Sequence, residues 1–179
     1  MKITVMAMSI DCELCIIRSF QQSDERTIAQ HANNKEIWLN LRDHFPHPYT
    51  QADAQQWLES IVGAIPEITF AISVDGKAVG AIGLVLQEDI ERCSAEVGYW
   101  LGQAYWGRGI LTAALKTFTR YAADEFKLTR LYAVPFLRNT ASMKVLEKAG
   151  YQREGIMRRS AIKDGQVIDQ ALYAYIPAY

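Results

Sequence analysis

The chain has no uninterrupted apolar stretch of the roughly 18 residues that a membrane-spanning helix needs, and its best candidate, residues 61–74, is broken by Pro66 and Glu67. Cysteine is scarce: three residues in 179, an odd number and too few for a disulfide scaffold. Cys12 and Cys15 form a C-x-x-C, but no second pair follows and no strand leads into a helix there, so zinc and redox chemistry are not expected. There is no excess of positive charge either. With 19 Lys and Arg against 20 Asp and Glu the net charge is −1, which leaves nothing to neutralise a run of phosphates and argues against a nucleic-acid partner. No repeat, linker-like segment or block of like charge divides the chain, so residues 1–179 are read as one domain. Residues 1–10 carry one Lys and a short apolar stretch without a small-residue cleavage site before Asp11, which is no signal peptide. Together with reduced cysteines this points to the cytoplasm.

What is present is enough apolar material for a core: half the residues are hydrophobic and only 11 are Gly and 5 Pro. Residues 12–20 alternate as a first strand, and Ser23-Asp24-Glu25-Arg26 reads as an N-cap with an acidic first turn, opening a helix towards Asn33. A loop rich in aromatics and Pro follows. Residues 50–64 form a second helix, with Thr50 as N-cap, Asp53 completing a capping box, Ala54, Trp57, Leu58 and Ile61 on one face, and Pro66 beyond its end. Residues 68–74 and 78–86 flank Asp75-Gly76, a strong signal for an antiparallel hairpin. Residues 94–101 are a strand, and Gly107-Arg108-Gly109 then opens a helix striped with Ile110, Ala114, Leu115, Phe118, Tyr121 and Ala122. Residues 130–136 are β-rich, residues 139–149 are a helix closed by Gly150, and residues 152–162 and 166–175 pair around Asp164-Gly165. The order β-α-α-β-β-β-α-β-α-β-β is an α/β arrangement with a mixed sheet.

Glycines at a helix N-terminus after a strand expose unpaired N–H groups and the positive end of the helix dipole, a site suited to phosphate, with Arg108 adding a full charge. A tight turn with no ligand is the plain alternative for so short a motif. It is not a Walker A loop, since Gly-Lys-Ser/Thr is absent. It is not a Rossmann fingerprint either, because Thr112 stands where the third glycine should be and no βαβ series precedes it, so a dinucleotide-dependent oxidoreductase is set aside.

Three segments narrow the choice: Glu96-Val97-Gly98-Tyr99-Trp100-Leu101, Trp106-Gly107-Arg108-Gly109-Ile110, and Asn139-Thr140-Ala141-Ser142 continuing through Val145-Leu146-Glu147-Lys148 to Gly150-Tyr151. This combination resembles the GNAT superfamily of acyl-CoA-dependent N-acetyltransferases, and more closely its RimJ/RimL-type branch. Asn40-Leu41-Arg42-Asp43 and Pro48-Tyr49-Thr50 fit the branch too. The resemblance implies a mixed, mostly antiparallel central sheet flanked by helices and acetyl-CoA as cosubstrate, without a metal. It implies pyrophosphate contacts from the main chain around Trp106, Gly107, Arg108, Gly109 and Leu111. Leu111 replaces the small residue usual in the family's loop. Pantetheine would pair as an extra strand beside Val97, Tyr99 and Leu101, oriented by Asn139. The tyrosine that many members use to protonate the departing thiolate is replaced by Leu146, which leaves Ser142 as the hydroxyl of the branch.

Acetyl transfer needs a neutral amine, a stabilised carbonyl oxygen and a proton for the thiolate. About 15% of α-amino groups with pKa near 7.8 are neutral at pH 7, against about 0.04% of lysine side chains, so an α-amine needs less activation. Glu96 is the candidate base, through water; a surface carboxylate is its plain alternative. Ser142 is the candidate acid, and a backbone N–H near Val97 or Gly98 would serve the oxyanion. Trp38, Phe45 and Tyr49, in the aromatic loop between two helices, are the candidate wall of the amine site. His44 and His47 lack a third ligand and are separated by Pro46, so they are not read as a metal site. The expected activity is transfer of an acetyl group to a protein N-terminal α-amine or a small amine, by a monomer or homodimer. A non-catalytic CoA-binding module of the same fold is the alternative.

Overall fold

The computed structural model describes residues 8–178, so most of the segment weighed above as a signal peptide lies outside the described residues. One eight-stranded sheet runs in the order β1-β2-β3-β4-β5-β6-β8-β7. Its strands are β1 (Ser9–Asp11), β2 (Ile16–Arg18), β3 (Thr69–Val74), β4 (Lys77–Leu86), β5 (Ser94–Leu101), β6 (Arg130–Ala133), β7 (Gln152–Lys163) and β8 (Gln166–Tyr175). The helices are α1 (Glu25–Ala32), α2 (Lys35–Trp38), α3 (Gln51–Ile61), α4 (Ile110–Glu125) and α5 (Thr140–Lys148). Every pairing is antiparallel except β5 with β6, as a mixed, mostly antiparallel sheet requires.

The hairpin signals hold for a conformational reason. Asp75 and Gly76 take φ of 50° and 76°, and Asp164 and Gly165 take 52° and 72°, the left-handed pairs of type I′ turns. Thr50 caps α3, its side chain accepting from the Asp53 N–H while Asp53 accepts from the Thr50 N–H. Three expectations need correction. The strand read over residues 12–20 is a small hairpin, because the Cys12 N–H bonds to the Cys15 carbonyl and turns the chain between β1 and β2. Ser23 does not cap α1. A 3-10 turn over Gln22–Asp24 precedes that helix, and Asp24 is instead held by both terminal nitrogens of Arg18 and by the Gln21 N–H. The helix read to residue 64 ends at Ile61, and α2 is an additional short helix capped by Asn34.

The sheet divides the core in two. On one face α4 and α5 cover Ile72, Ile82, Val97 and Leu131; on the other α1 and α3 cover Ala71, Ala81 and Trp100. The α4 stripe is buried as its spacing predicts except for Tyr121, which is half-buried, and Thr119 is buried in addition. Thr119, 1% exposed, shares a 2.9 Å hydrogen bond with the Tyr151 hydroxyl, tying α4 to the chain that leaves α5. Replacing Tyr151 by Phe strands the buried Thr119 hydroxyl and should cost about 1–3 kcal/mol. The melting temperature should fall by several degrees, and adding Thr119→Val, which removes the second partner, should recover most of the loss.

Candidate active site

The parallel pairing of β5 with β6 stops at Glu96 opposite Tyr132, although β5 continues to Leu101 beside β4. Two bonds fix which way its main chain points. The Gln87 N–H donates to the Ser94 carbonyl and the Gly102 N–H to the Val79 carbonyl. In an antiparallel ladder this places residues 94, 96, 98, 100 and 102 in the pairs bonded to β4. Val97, Tyr99 and Leu101 therefore turn their N–H and C=O groups towards the β6 side, where the partner has diverged beyond the Val97 N–H. The Leu101 carbonyl is already engaged, accepting from the Trp106 indole Nε1–H at 2.7 Å. Gly98, one of the two places expected to offer an oxyanion N–H, faces β4, and the Val97 N–H faces Tyr132 in the last step of the β6 ladder; Tyr99 is the first residue whose N–H faces the gap.

The N-terminus of α4 opens onto the same gap. Gly109 is its N-cap residue with φ of 79°, and Gly107 has φ of 74°, both left-handed positions where a side chain is strained. Among the described residues the N–H groups of 107–112 donate to no protein acceptor, while Ala113 makes the first bond back, to the Gly109 carbonyl. Six aligned donors at a helix N-terminus fit a pyrophosphate. Leu111 packs its side chain partly onto the core, leaving its N–H in the row. Arg108 lies over the Tyr105 ring, 5.4 Å from its centroid. A cavity of about 760 Å³ runs from this row along β5 to α5.

Asn139 and Ser142 stand at the start of α5 on the far side of the cavity. Asn139 is the N-cap, its side chain accepting from the Ser142 N–H at 3.1 Å. The Ser142 hydroxyl is 2.8 Å from the Tyr99 hydroxyl, and burial pushes the Tyr99 phenol well above its ordinary pKa. Leu146, in the place where many family members carry a tyrosine, is wholly buried in the core.

Glu96 lies on the opposite face of the sheet, since strand side chains alternate. One of its oxygens accepts from Arg42 at 2.5 Å; the Glu96 side chain is 21% exposed and that of Arg42 62%. A second cavity, about 660 Å³, opens on this face and is lined by Phe45, Tyr49, Trp57 and Trp100. Both cavities reach Leu41, Arg42, Glu96, Gly98, Tyr99 and Trp100, so they meet where β5 leaves β6. Phe45 is 4.8 Å from the Tyr49 ring and 5.9 Å from that of Trp100. Trp38 lines neither cavity. Its ring stacks on His47 and carries the Lys163 Nζ at 4.0 Å, and Lys163, 1% exposed, is paired with Asp43 at 2.8 Å. No cluster of three metal-binding side chains occurs among the described residues.

Arg42 and the Tyr99–Ser142 contact were not singled out for these roles by sequence reasoning. Arg42 is 54 residues from Glu96, and nothing local marks the pairing. Tyr99 lies in a recognisable strand motif, but its hydroxyl partner comes from a helix 43 residues on.

The indole of Trp106 fastens the donor loop to the end of β5. Trp106→Phe keeps an aromatic ring and loses the bond to the Leu101 carbonyl, so the loop should hold acetyl-CoA about tenfold less tightly. That removes about 1.4 kcal/mol of ligand-linked stabilisation, read as a smaller rise in melting temperature at the same acetyl-CoA concentration.

Comparison with known proteins agrees with this geometry. Residues 15–152 match the acetyltransferase (GNAT) domain family. The probable N-acetyltransferase YjcK of Bacillus subtilis (strain 168) is 36% identical over 104 residues, 57% of this chain and 56% of that protein, so the chain spans little more than half the length of that curated relative. The structure of a ribosomal-protein-alanine acetyltransferase from Vibrio fischeri superposes with a TM-score of 0.80 at 26% identity, over 94% of this chain and 96% of that one. A RimL ribosomal-protein α-N-acetyltransferase in complex with coenzyme A shares the fold, with a TM-score of 0.84 at 20% identity over 94% and 98% of the two chains. By its sequence, its splayed sheet and the donor row at α4, the chain belongs to the GNAT acetyltransferase domain family.

Proposed function

We propose that this protein is an acetyl-CoA-dependent N-acetyltransferase that transfers an acetyl group directly to a primary amine, a protein N-terminal α-amine or a small amine, in a ternary complex. The observation that carries the reading is the meeting of two cavities at the end of the β5–β6 pairing, one leading from the donor row of α4 and the other from the aromatic face. Acetyl-CoA supplies the activated acyl group as a thioester. Gly107, Arg108, Gly109 and Leu111 hold its pyrophosphate through the main chain, Trp106, whose N–H is bonded to the Gln103 carbonyl, anchors that loop through its indole, and the gap-facing edge at Val97 and Tyr99 holds its pantetheine arm beside Asn139.

The amine approaches from the Glu96 face. A new N–C bond forms, the C–S bond breaks, and one proton leaves the nitrogen for Glu96 through water. The Tyr99 N–H, the first on β5 beyond the ladder with β6, stabilises the carbonyl oxygen. Sulfur departs on the other face of the sheet, where Ser142 gives it a proton. Tyr99, kept protonated by burial, donates to the Ser142 oxygen, so the serine hydrogen is free to point at sulfur. The pair is reprotonated from solvent. A non-catalytic CoA-binding module has no need of a carboxylate on one face and a hydroxyl pair on the other. The proposal extends to the cytoplasm as the site of action, which the free thiols of Cys12, Cys15 and Cys93 support, and to a monomer or homodimer.

The test is thiol release with acetyl-CoA across a panel of amines. Ser142→Ala should lower kcat on the order of 100-fold with little change in KM for acetyl-CoA. Tyr99→Phe should lower it less, and the double variant should be no slower than Ser142→Ala, because the two hydroxyls act as one unit. Binding of acetyl-CoA without turnover of any amine would contradict the proposal.

A further inference from the structure

We propose that the acceptor is a free α-amino acid with a large apolar side chain, its amine and carboxylate gripped by the Glu96–Arg42 pair and its side chain seated in the aromatic cavity. The inference rests on the acetyltransferase reading and narrows its substrate. An ion pair of one carboxylate and one guanidinium is the chemical complement of a zwitterion whose ammonium and carboxylate are one carbon apart. Each partner has capacity to spare: among the described residues, the side chains of Glu96 and Arg42 make only the one hydrogen bond, to each other. The remaining guanidinium nitrogens form a planar fork, the geometry that receives a carboxylate with two parallel bonds. The second Glu96 oxygen is left for the amine, directly or through water.

The cavity beyond the pair decides the side chain. Phe45, Tyr49, Trp57 and Trp100 give it an apolar lining, and its volume of about 660 Å³ accommodates an aromatic or long aliphatic group. Tyr49 stays neutral, since burial and the nearby Asp53 push its hydroxyl up to about 12. Gly98 keeps the passage to the gap open, for a Cβ there would meet nothing within 4 Å. The charges here offer a polyamine no free carboxylate. The cavity's acidic side chains are Glu96 and Asp53, the first paired with Arg42 and the second engaged in the α3 cap, while Arg42 and His44 are also in the lining. A peptide N-terminus would offer Arg42 a neutral amide oxygen in place of a carboxylate that can take two parallel bonds from the guanidinium.

The experiment measures kcat/KM by thiol release at saturating acetyl-CoA for L-phenylalanine, L-phenylalaninamide, 2-phenylethylamine, a phenylalanine-led tripeptide and spermidine. L-phenylalanine should be preferred at least tenfold. Arg42→Gln should lower kcat/KM for L-phenylalanine at least tenfold more than for 2-phenylethylamine, the excess falling chiefly on KM. A purely structural role for Arg42 would lower both equally, and that result would overturn the inference. So would equal use of the amide and the acid, or turnover of the peptide or spermidine alone, outcomes that leave the acetyltransferase reading standing. Failure to acetylate any amine while acetyl-CoA still raises the melting temperature would overturn both.

Discussion

The site depends on one break in hydrogen bonding. β5 is paired with β4 along its whole length and with β6 only as far as Glu96, so the polar edge at Val97, Tyr99 and Leu101 has lost its strand partner. An unpaired polar edge inside a protein is costly unless something satisfies it. Here the Trp106 indole takes the Leu101 carbonyl, and the rest of the edge faces a cavity into which an extended, amide-bearing ligand fits as a strand would. The opening also pierces the sheet. That lets two reactants meet although their binding surfaces lie on opposite faces.

That the proposed proton acceptor and proton donor lie on different faces follows from strand alternation. Glu96 and Tyr99 are three residues apart on β5 and so point to opposite sides, and Ser142 reaches Tyr99 from α5. The loop from α2 to α3 closes the amine side because it is fastened at three points. Arg42 binds Glu96, Asp43 binds the buried Lys163 of the β7–β8 hairpin, and the Leu39 carbonyl accepts from Arg138 just before α5. Lys163 is nearly excluded from water, and Asp43 and the Trp38 ring are the partners of its ammonium.

Much of this was legible in the sequence where the cause is local. The turns at Asp75-Gly76 and Asp164-Gly165, the Thr50 cap and the glycine entry to α4 are properties of a few adjacent residues, and all took the expected conformation. The misreadings have tertiary causes. Arg18 drew Asp24 into an ion pair that reshaped the start of α1, and the alternation across residues 12–20 concealed a turn closed by Cys12 and Cys15. Trp38, expected to wall the amine site, became the ledge under Lys163, a residue on the far hairpin. Arg42 could be found only once the fold had carried it across the chain to Glu96.

The central claim is that the edge of β5 and the donor row of α4 together hold acetyl-CoA, and residue-resolved amide hydrogen exchange with and without saturating coenzyme A tests it most directly. Bound ligand should slow exchange at residues 107–112 and at Tyr99, while Glu96 and Gly98, bonded to β4, and Val97, in the ladder with β6, change little. Protection confined to other elements, or no protection of the 107–112 amides at saturation, would contradict the account.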